Sequence, residues 1–255
     1  RARVLLKHFR GKTLAQVSPL LIEKFKSERR KSITARGGTR SPASVNRELE
    51  LLSRIFTMAM KQKLVDKNPC REVQLLTMDN KRTRYLTDEE EPLLLAQLTG
   101  TRAHLRAPVL LALGTGMRRG DLFNLRWSQV DFQAGMVYVP NAKTGKSYPV
   151  PMSKEVRKVL LELRAKAKGA ELVFTSGKTG RAYNDLKKGF AAACSAAGLP
   201  HLRWHDLRHT FGTRIAEAGY AEATIADLMG HASGLRRAAI RTALSGRNAR
   251  PWRQL

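Results

Sequence analysis

The chain has 255 residues, of which 42% are hydrophobic, and this apolar content excludes an intrinsically disordered protein. Its 47 lysines and arginines against 21 aspartates and glutamates give a net charge of +26. The excess is shared by residues 1–80 (+11) and 81–255 (+15). Such a charge indicates a polyanionic partner, with nucleic acid favoured over an anionic membrane.

Cysteine use and apolar patterning indicate the compartment. Cys70 and Cys194 are too few and too far apart for a disulfide framework, which favours a reducing cytoplasm. The N-terminus is basic, and the longest apolar stretch, residues 107–114, is far too short to span a bilayer. We therefore expect neither a signal peptide nor a membrane anchor. Arg1 stands where a methionine would start a protein, so we expect a fragment of a longer chain.

Residues 1–75 are predicted to form a helical domain. Ser18 and Pro19 are typical of a helix start, and Ser41-Pro42 opens a second helix. From residue 43 to residue 62 the apolar residues recur at helical spacing and form one stripe. The next segment, 76–84, is polar and basic without periodicity, so it is predicted to be an interdomain linker.

Residues 85–233 are predicted to form a second, mostly helical domain. Thr87 and Glu90 have the spacing of a capping box, and residues 106–113 should form a helix. Residues 135–152 predict two strands joined by a turn at Thr144-Gly145. Further helices are expected at 153–167, 182–197 and 206–219, with a short strand at 171–175. The fold class is therefore mainly α with a small β component, followed at 234–255 by an atypical tail rich in arginine and alanine.

Two segments of the second domain present cations at chain turns. Gly114 and Gly116 interrupt the chain, and Arg118 and Arg119 follow at the start of a helix. Backbone N–H groups and a guanidinium there would cradle a phosphate, although a solvated arginine pair is the alternative. Lysines 143 and 146 lie at the hairpin turn, where lysines are ordinarily only solvated.

A third segment, "HLRWHDLRHTFGT" (201–213), is the densest in titratable groups. His205, Arg208 and His209 lie within one helical turn, an arrangement that suits a bound anion better than a plain core. A metal site formed by the two histidines is the alternative. It is disfavoured because Asp206 replaces the glutamate of the zinc-protease pattern and Arg208 would repel a cation. His231 follows Gly230, where another helix is predicted to stop.

Four segments in this order resemble the tyrosine recombinase (phage integrase) family: "TGMR" (115–118), "AKTGK" (142–146), "HDLR" (205–208) and "MGH" (229–231). Residues 1–75 and the linker look like the family's core-binding domain. The resemblance implies a helical, SAM-like core-binding domain joined to a mixed α/β catalytic domain. It further implies strand cleavage and religation at double-stranded DNA recombination sites, without metal or cofactor. The expected setting is a homotetramer on paired sites in the bacterial cytoplasm, at the nucleoid, with accessory DNA-bending proteins as further partners.

The resemblance also assigns roles to individual residues. Arg118 and Arg208 would clamp the scissile phosphate. Lys143 would protonate the departing 5′ oxygen, and His205 would accept the proton of the nucleophile or contact the phosphate. His231 would donate to a phosphate oxygen. The remaining expected site residues are Asp121, which would orient an arginine, and the DNA contacts Arg119, Lys146, Arg47, Arg82 and Arg84.

The nucleophile is missing from the expected place. In the family a tyrosine lies about nine residues after the second histidine and forms a 3′-phosphotyrosine. Here position 240 is Ile240, and the last tyrosine of the chain is Tyr220. One explanation is a catalytically inactive DNA-binding relative. Another class with similar site residues is a type IB topoisomerase-like nicking enzyme.

A shift of the reading frame is the explanation we favour for the tail. "AIRT" (239–242) can be encoded as GCT-ATA-CGC-ACN, which in the frame that starts at the third base gives Tyr-Thr-His. The family commonly carries this tripeptide at the nucleophile. GC-rich DNA translated in a wrong frame also gives the arginine, alanine and glycine bias of the tail. The arginines of 234–255 therefore carry little functional weight.

Overall fold

A computed structural model describes residues 1–35, 37–78, 84–140, 145, 147–176, 183 and 186–230. The chain separates into two compact units, divided between Arg82 and Thr83. This division falls inside the segment predicted as a linker. Each unit is described by itself.

Where the structure describes it, the N-terminal unit contains three α-helices, α1 (Ala2–His8), α2 (Pro19–Lys31) and α3 (Pro42–Lys61). The predicted start signals of two helices are confirmed. The hydroxyl oxygens of Ser18 and Ser41 accept from the backbone N–H three residues later, at 3.3 Å each, with proline at the first helical position. Each cap satisfies a donor that the first turn cannot pair itself.

The core of this unit lies between α2 and α3. Phe25 of α2 and Phe56 of α3 are almost fully buried, as the apolar stripe of α3 predicts. A largely buried ion pair joins the same helices, since the Arg29 guanidinium donates from Nε and Nη2 to both oxygens of Glu48 at 2.8 and 2.7 Å. Two parallel bonds of this kind fix orientation as well as distance.

The end of the unit is held by the side chain of Asn46, which is 2% exposed. Its amide nitrogen donates to the Leu76 carbonyl at 2.8 Å, and its oxygen accepts from the Leu76 N–H at 2.9 Å. We expect Asn46→Ala to lower the free energy of unfolding of this unit by about 1–3 kcal/mol, because both backbone groups lose their partner. Urea denaturation measures the change. Glu50→Ala, an exposed substitution on the same helix, should stay within about 0.5 kcal/mol, and an equal loss in both variants would contradict the assignment.

The C-terminal unit contains seven α-helices and three strands within its described residues. The helices are α4 (Glu90–Ala96), α5 (Arg106–Thr115), α6 (Arg119–Phe123), α7 (Lys154–Lys166), α8 (Lys187–Ala196), α9 (Trp204–Glu217) and α10 (Glu222–Leu228). The strands are β1 (Val130–Asp131), β2 (Met136–Pro140) and β3 (Ser147–Pro151). Short 3₁₀ turns occur at Leu14–Gln16, Pro69–Glu72, Gly100–Leu105 and Trp127–Gln129.

Helix α5 is the centre of this unit and packs against α7 and α9. It contains the apolar stretch 107–114, and Val109, Leu111 and Ala112 are at most 1% exposed. A helix that is apolar on all sides must be surrounded by protein, and the packing explains this stretch. Within the described residues, no helix combines the length and the apolar character needed to cross a bilayer.

The sheet is an antiparallel meander in the order β1-β2-β3, with Val137 opposite Val150 and Val139 opposite Tyr148. It confirms the hairpin predicted at 135–152, while Thr144 of the turn lies outside the described residues. The capping box of Thr87 and Glu90 is also confirmed, with both reciprocal bonds present at 3.3 and 3.1 Å.

One predicted strand is wrong. Residues 171–175 form no ladder with another described segment: isolated bridges occur at Leu172, which pairs with Arg126, and at Thr175. Two backbone bonds flank the Leu172 bridge, from Trp127 N–H to the Glu171 carbonyl and from Val173 N–H to the Leu125 carbonyl. The partner segment turns into a 3₁₀ helix at Trp127, so pairing cannot continue.

Candidate active site

Arg118 stands at a sharp change of chain direction. Gly116 ends α5 with φ +59°, a conformation that glycine adopts without steric cost. Arg118 follows in extended conformation and is the N-cap residue of α6. Its side chain is 45% exposed, so the guanidinium is available to solvent and to a ligand.

Arg208 reaches the same place from α9. It is only 4% exposed, and its Nη1 donates to the Gly116 carbonyl at 2.6 Å while Nη2 donates to the Met229 carbonyl. Arg118 Nη2 donates to the next carbonyl, that of Gly230, at 3.2 Å. The two guanidiniums are therefore fixed by backbone oxygens from the end of α5 and from the residues that follow α10. A helix C-terminus carries partial negative charge, which favours cations there.

The site carries an excess of positive charge. Burial lowers the pKa of the Arg208 guanidinium, and the nearby Arg118 lowers it further. Asp121 Oδ2 lies 3.9 Å from Arg118 Nη1, and burial raises the pKa of this carboxyl although both arginines act against the shift. Two guanidiniums beside one half-buried carboxylate leave a net cationic site, which suits an oxyanion such as a phosphodiester.

His205 lies one turn before Arg208 on α9 and is exposed in part. Its ring is 4.9 Å from that of His209, at an interplanar angle of 86°. Partial burial lowers the pKa of His205, and the nearby His209 and Arg208 lower it further. The lowered pKa favours the neutral imidazole, which is the form that can accept a proton.

The depressed pKa of His205 gives a direct prediction. In the free protein this imidazole should titrate below 6.5, because burial and two like-charged neighbours disfavour the imidazolium. His209→Gln should raise the pKa of His205 by removing one of those neighbours, yet leave it below 6.5 because burial is the larger cause. Histidine NMR titration measures both values. A titration of His205 at or above 6.5 in the free protein would contradict this electrostatic description.

Tyr148 also belongs to the site, although it lies outside the four motifs and was not among the expected site residues. Its ring packs against Gly230 so closely that a Cβ on that glycine would lie 2.4 Å from the ring. The hydroxyl is buried without a well-aligned hydrogen bond in the described part of the chain, although it lies close enough to interact with the Arg208 guanidinium.

The structure brings together three of the expected site residues, Arg118, His205 and Arg208, and places Asp121 beside them. Their roles stay predictions. Five expected positions lie outside the described residues: Lys143, Lys146, Arg82, His231 and Ile240.

The other expected DNA contacts occupy different environments. Arg47 is exposed on α3, and Arg119 is half-buried at the first position of α6. Arg84 donates from Nη1 and Nη2 to both oxygens of Glu90 at 2.7 Å. This guanidinium therefore has a structural role in addition to any contact with DNA. Across the described residues, no three histidine, cysteine, aspartate or glutamate side chains are grouped closely enough to hold a metal ion.

Comparison with known proteins agrees with this geometry. The chain is 30% identical over 192 residues to the shufflon-specific DNA recombinase of Escherichia coli, covering 74% of this chain and 48% of the relative. It is 28% identical over 227 residues to a XerC-like tyrosine recombinase of Caldanaerobacter subterraneus subsp. tengcongensis, covering 71% and 57%. The chain thus spans about half the length of these curated relatives.

A solved structure shows the same fold. The fold resembles that of a lambda integrase tetramer bound to a Holliday junction, with a TM-score of 0.73, 20% identity and coverage of 92% of this chain and 70% of the other. The model of the Phage integrase family matches residues 84–236, which is more than half of the chain. The protein therefore belongs to the phage integrase family.

Proposed function

We propose that this chain binds duplex DNA and holds one phosphodiester against Arg118 and Arg208, as the DNA-binding and strand-exchange part of a site-specific recombinase. The observation that carries the proposal is the convergence of two guanidiniums from α6 and α9 on adjacent backbone carbonyls. The backbone carbonyls accept from only some of the N–H groups of each guanidinium. The remaining N–H groups can donate to an anion. The family membership and the net charge of +26 support the same partner.

The chemistry that this site supports is phosphoryl transfer. Negative charge develops on the non-bridging oxygens, and fixed guanidiniums stabilise it without having to reorganise. The neutral imidazole of His205 would accept the proton of an attacking hydroxyl. Lys143 and His231 would act on the departing 5′ oxygen and on a phosphate oxygen.

The chain as given would bind DNA without cleaving it. Tyr148 is the tyrosine packed into the site, but burial raises the pKa of its hydroxyl, the opposite of what a nucleophile requires. The family match ends at residue 236, before Ile240 at the expected nucleophile position. We propose that a shifted reading frame supplies the tyrosine, and that the complete protein acts as a tetramer on paired sites. Its setting would be the bacterial cytoplasm, at the nucleoid, in a bacterial or phage-encoded system.

The binding part of this proposal is tested by salt dependence. Affinity for a short labelled duplex should fall steeply between low and physiological salt, because lysines and arginines release counterions from the phosphates. A protein with 6–10 phosphate contacts loses roughly 10³- to 10⁵-fold between 50 and 200 mM salt. Fluorescence anisotropy measures the slope. Salt-independent binding, or no binding at low salt, would refute the proposal, and relaxation of any supercoiled plasmid would favour the topoisomerase-like alternative.

A further inference from the structure

A cavity of about 450 Å³ lies beside the arginine pair, between α6, α8 and α9. The side chains that give it chemical character are Arg119, Lys187, Phe190, Arg203, Trp204 and His205. His205 belongs to the candidate active site, and Arg119 directly follows Arg118. The cavity therefore shares His205 with the candidate active site and is lined by the residue that follows Arg118.

The walls of this cavity, called the α8–α9 cavity below, combine cations with aromatic rings. Trp204 is held edge-on by Phe123 and Phe190, with ring centroids 5.2 and 5.1 Å apart. Its indole N–H is buried and has no hydrogen-bond partner in the described part of the chain. The lining therefore offers both aromatic surface and positive charge to a ligand.

The charge of the lining separates this cavity from three others in the described part of the unit. Each of those is lined by at least one aspartate or glutamate. The charged residues that line the α8–α9 cavity are all basic, and the remaining lining is apolar or aromatic. A ligand that carries negative charge and a flat apolar face satisfies both features, and a nucleotide has this composition.

We propose that the α8–α9 cavity receives an unpaired base of the bound DNA strand, next to the phosphate held by Arg118 and Arg208. The inference rests on the proposed DNA-binding function. The base would lie against Trp204, while Arg119, Lys187 and Arg203 face the flanking phosphates. The volume is within the range of small-ligand pockets. A base inside a duplex must first be unstacked, so the preference is for DNA that already carries an unpaired base.

The test compares three labelled duplexes of the same sequence with the full chain. One is fully paired, one carries a single bulged 2-aminopurine, and one carries a single bulged abasic linker. The last has the flexibility of a bulge but no base. We expect the base-bearing bulge to bind about tenfold more tightly than the abasic bulge, the order of a stacking contact. The 2-aminopurine fluorescence should fall on binding as the base stacks on Trp204.

The outcomes separate this inference from the function on which it rests. Equal affinity for the base-bearing and abasic bulges, with no fluorescence change, overturns the α8–α9 cavity as a base site and leaves DNA binding intact. Failure to bind any of the three duplexes overturns the proposed function itself.

Matched variants test whether Trp204 is the residue that gives the preference for the base-bearing bulge. Trp204→Leu should bring the ratio of the affinities for the base-bearing and the abasic bulge close to one. Trp204→Phe should keep most of that ratio, because it keeps an aromatic ring. Trp127→Leu makes the same change at a tryptophan that does not line the cavity and should leave the ratio unchanged. A ratio that survives Trp204→Leu would also overturn the proposal. If Trp204→Leu does not fold, the fluorescence of 2-aminopurine with the unmodified chain decides.

Discussion

Arg208→Lys is expected to weaken binding of duplex DNA by about 10- to 100-fold. Arg208 is buried, and its two Nη atoms donate to carbonyls on different segments, those of Gly116 and Met229. A lysine ammonium is a point charge and cannot bond both carbonyls while presenting a planar edge to a phosphate. Hydrogen bonds to charged groups contribute about 1.5–3 kcal/mol, and each 1.4 kcal/mol corresponds to a tenfold change in affinity. Fluorescence anisotropy at fixed salt measures the loss.

Arg214→Lys is the matched control, the same substitution on the same helix. Arg214 pairs with Asp88 at 2.8 Å and Glu91 at 2.6 Å, away from the arginine pair. Its replacement should leave DNA affinity within about threefold, because its guanidinium bonds Asp88 and Glu91 and is not part of the proposed phosphate site. If Arg208→Lys also binds within threefold of the unmodified chain, then Arg208 does not hold a phosphate.

Gly116→Ala is expected to lower the free energy of unfolding of the C-terminal unit by about 2–5 kcal/mol. Its φ of +59° costs an L-residue about 1–2 kcal/mol. An added Cβ would also lie 2.3 Å from the Phe211 ring, and overpacking of this kind costs about 1–3 kcal/mol. Phe211 is 2% exposed and cannot move aside. Because the Gly116 carbonyl accepts from Arg208, DNA affinity should fall together with stability.

Gly135→Ala is the control that separates the cost of the backbone conformation from the cost of the steric contact with Phe211. Gly135 has a similar φ of +66°, but no atom lies within 4 Å of an added Cβ. We expect this variant to lose only about 1–2 kcal/mol and to keep its DNA affinity. Chemical denaturation of both variants gives the comparison. Equal losses would mean that the close approach of Phe211 to Gly116 contributes nothing.

The local features of the fold could be predicted because their causes are local. Ser18 and Ser41 cap helices, and Thr87 bonds Glu90 at the start of α4, in each case through atoms only three residues away, so the sequence shows both partners. The apolar stretch 171–175 misled the strand prediction for the opposite reason. Whether such a stretch pairs depends on a distant segment, here the turn at Trp127, which no local pattern shows.

In the candidate site, too, some features could be predicted from the sequence and others depend on tertiary packing. Arg118, His205 and Arg208 were predicted from motif spacing, and the structure places them together. The carbonyls of Met229 and Gly230 that fix the arginines could not be predicted, because every residue has a carbonyl and only tertiary packing selects these two. The place of Tyr148 beneath Gly230 and the α8–α9 cavity depend on packing between elements far apart in sequence.

Our central proposal is that Arg118 and Arg208 bind a DNA phosphate while the chain lacks the nucleophile expected of the family. Covalent trapping on a pool of nicked suicide substrates with a randomised core tests it most directly, since no target sequence need be known. The chain as given should leave no DNA attached after denaturation. The same chain with the segment after His231 translated in the shifted frame should become covalently attached, and Arg118→Ala in that form should abolish attachment. Covalent attachment by the chain as given, or none by the shifted-frame form, would contradict the account.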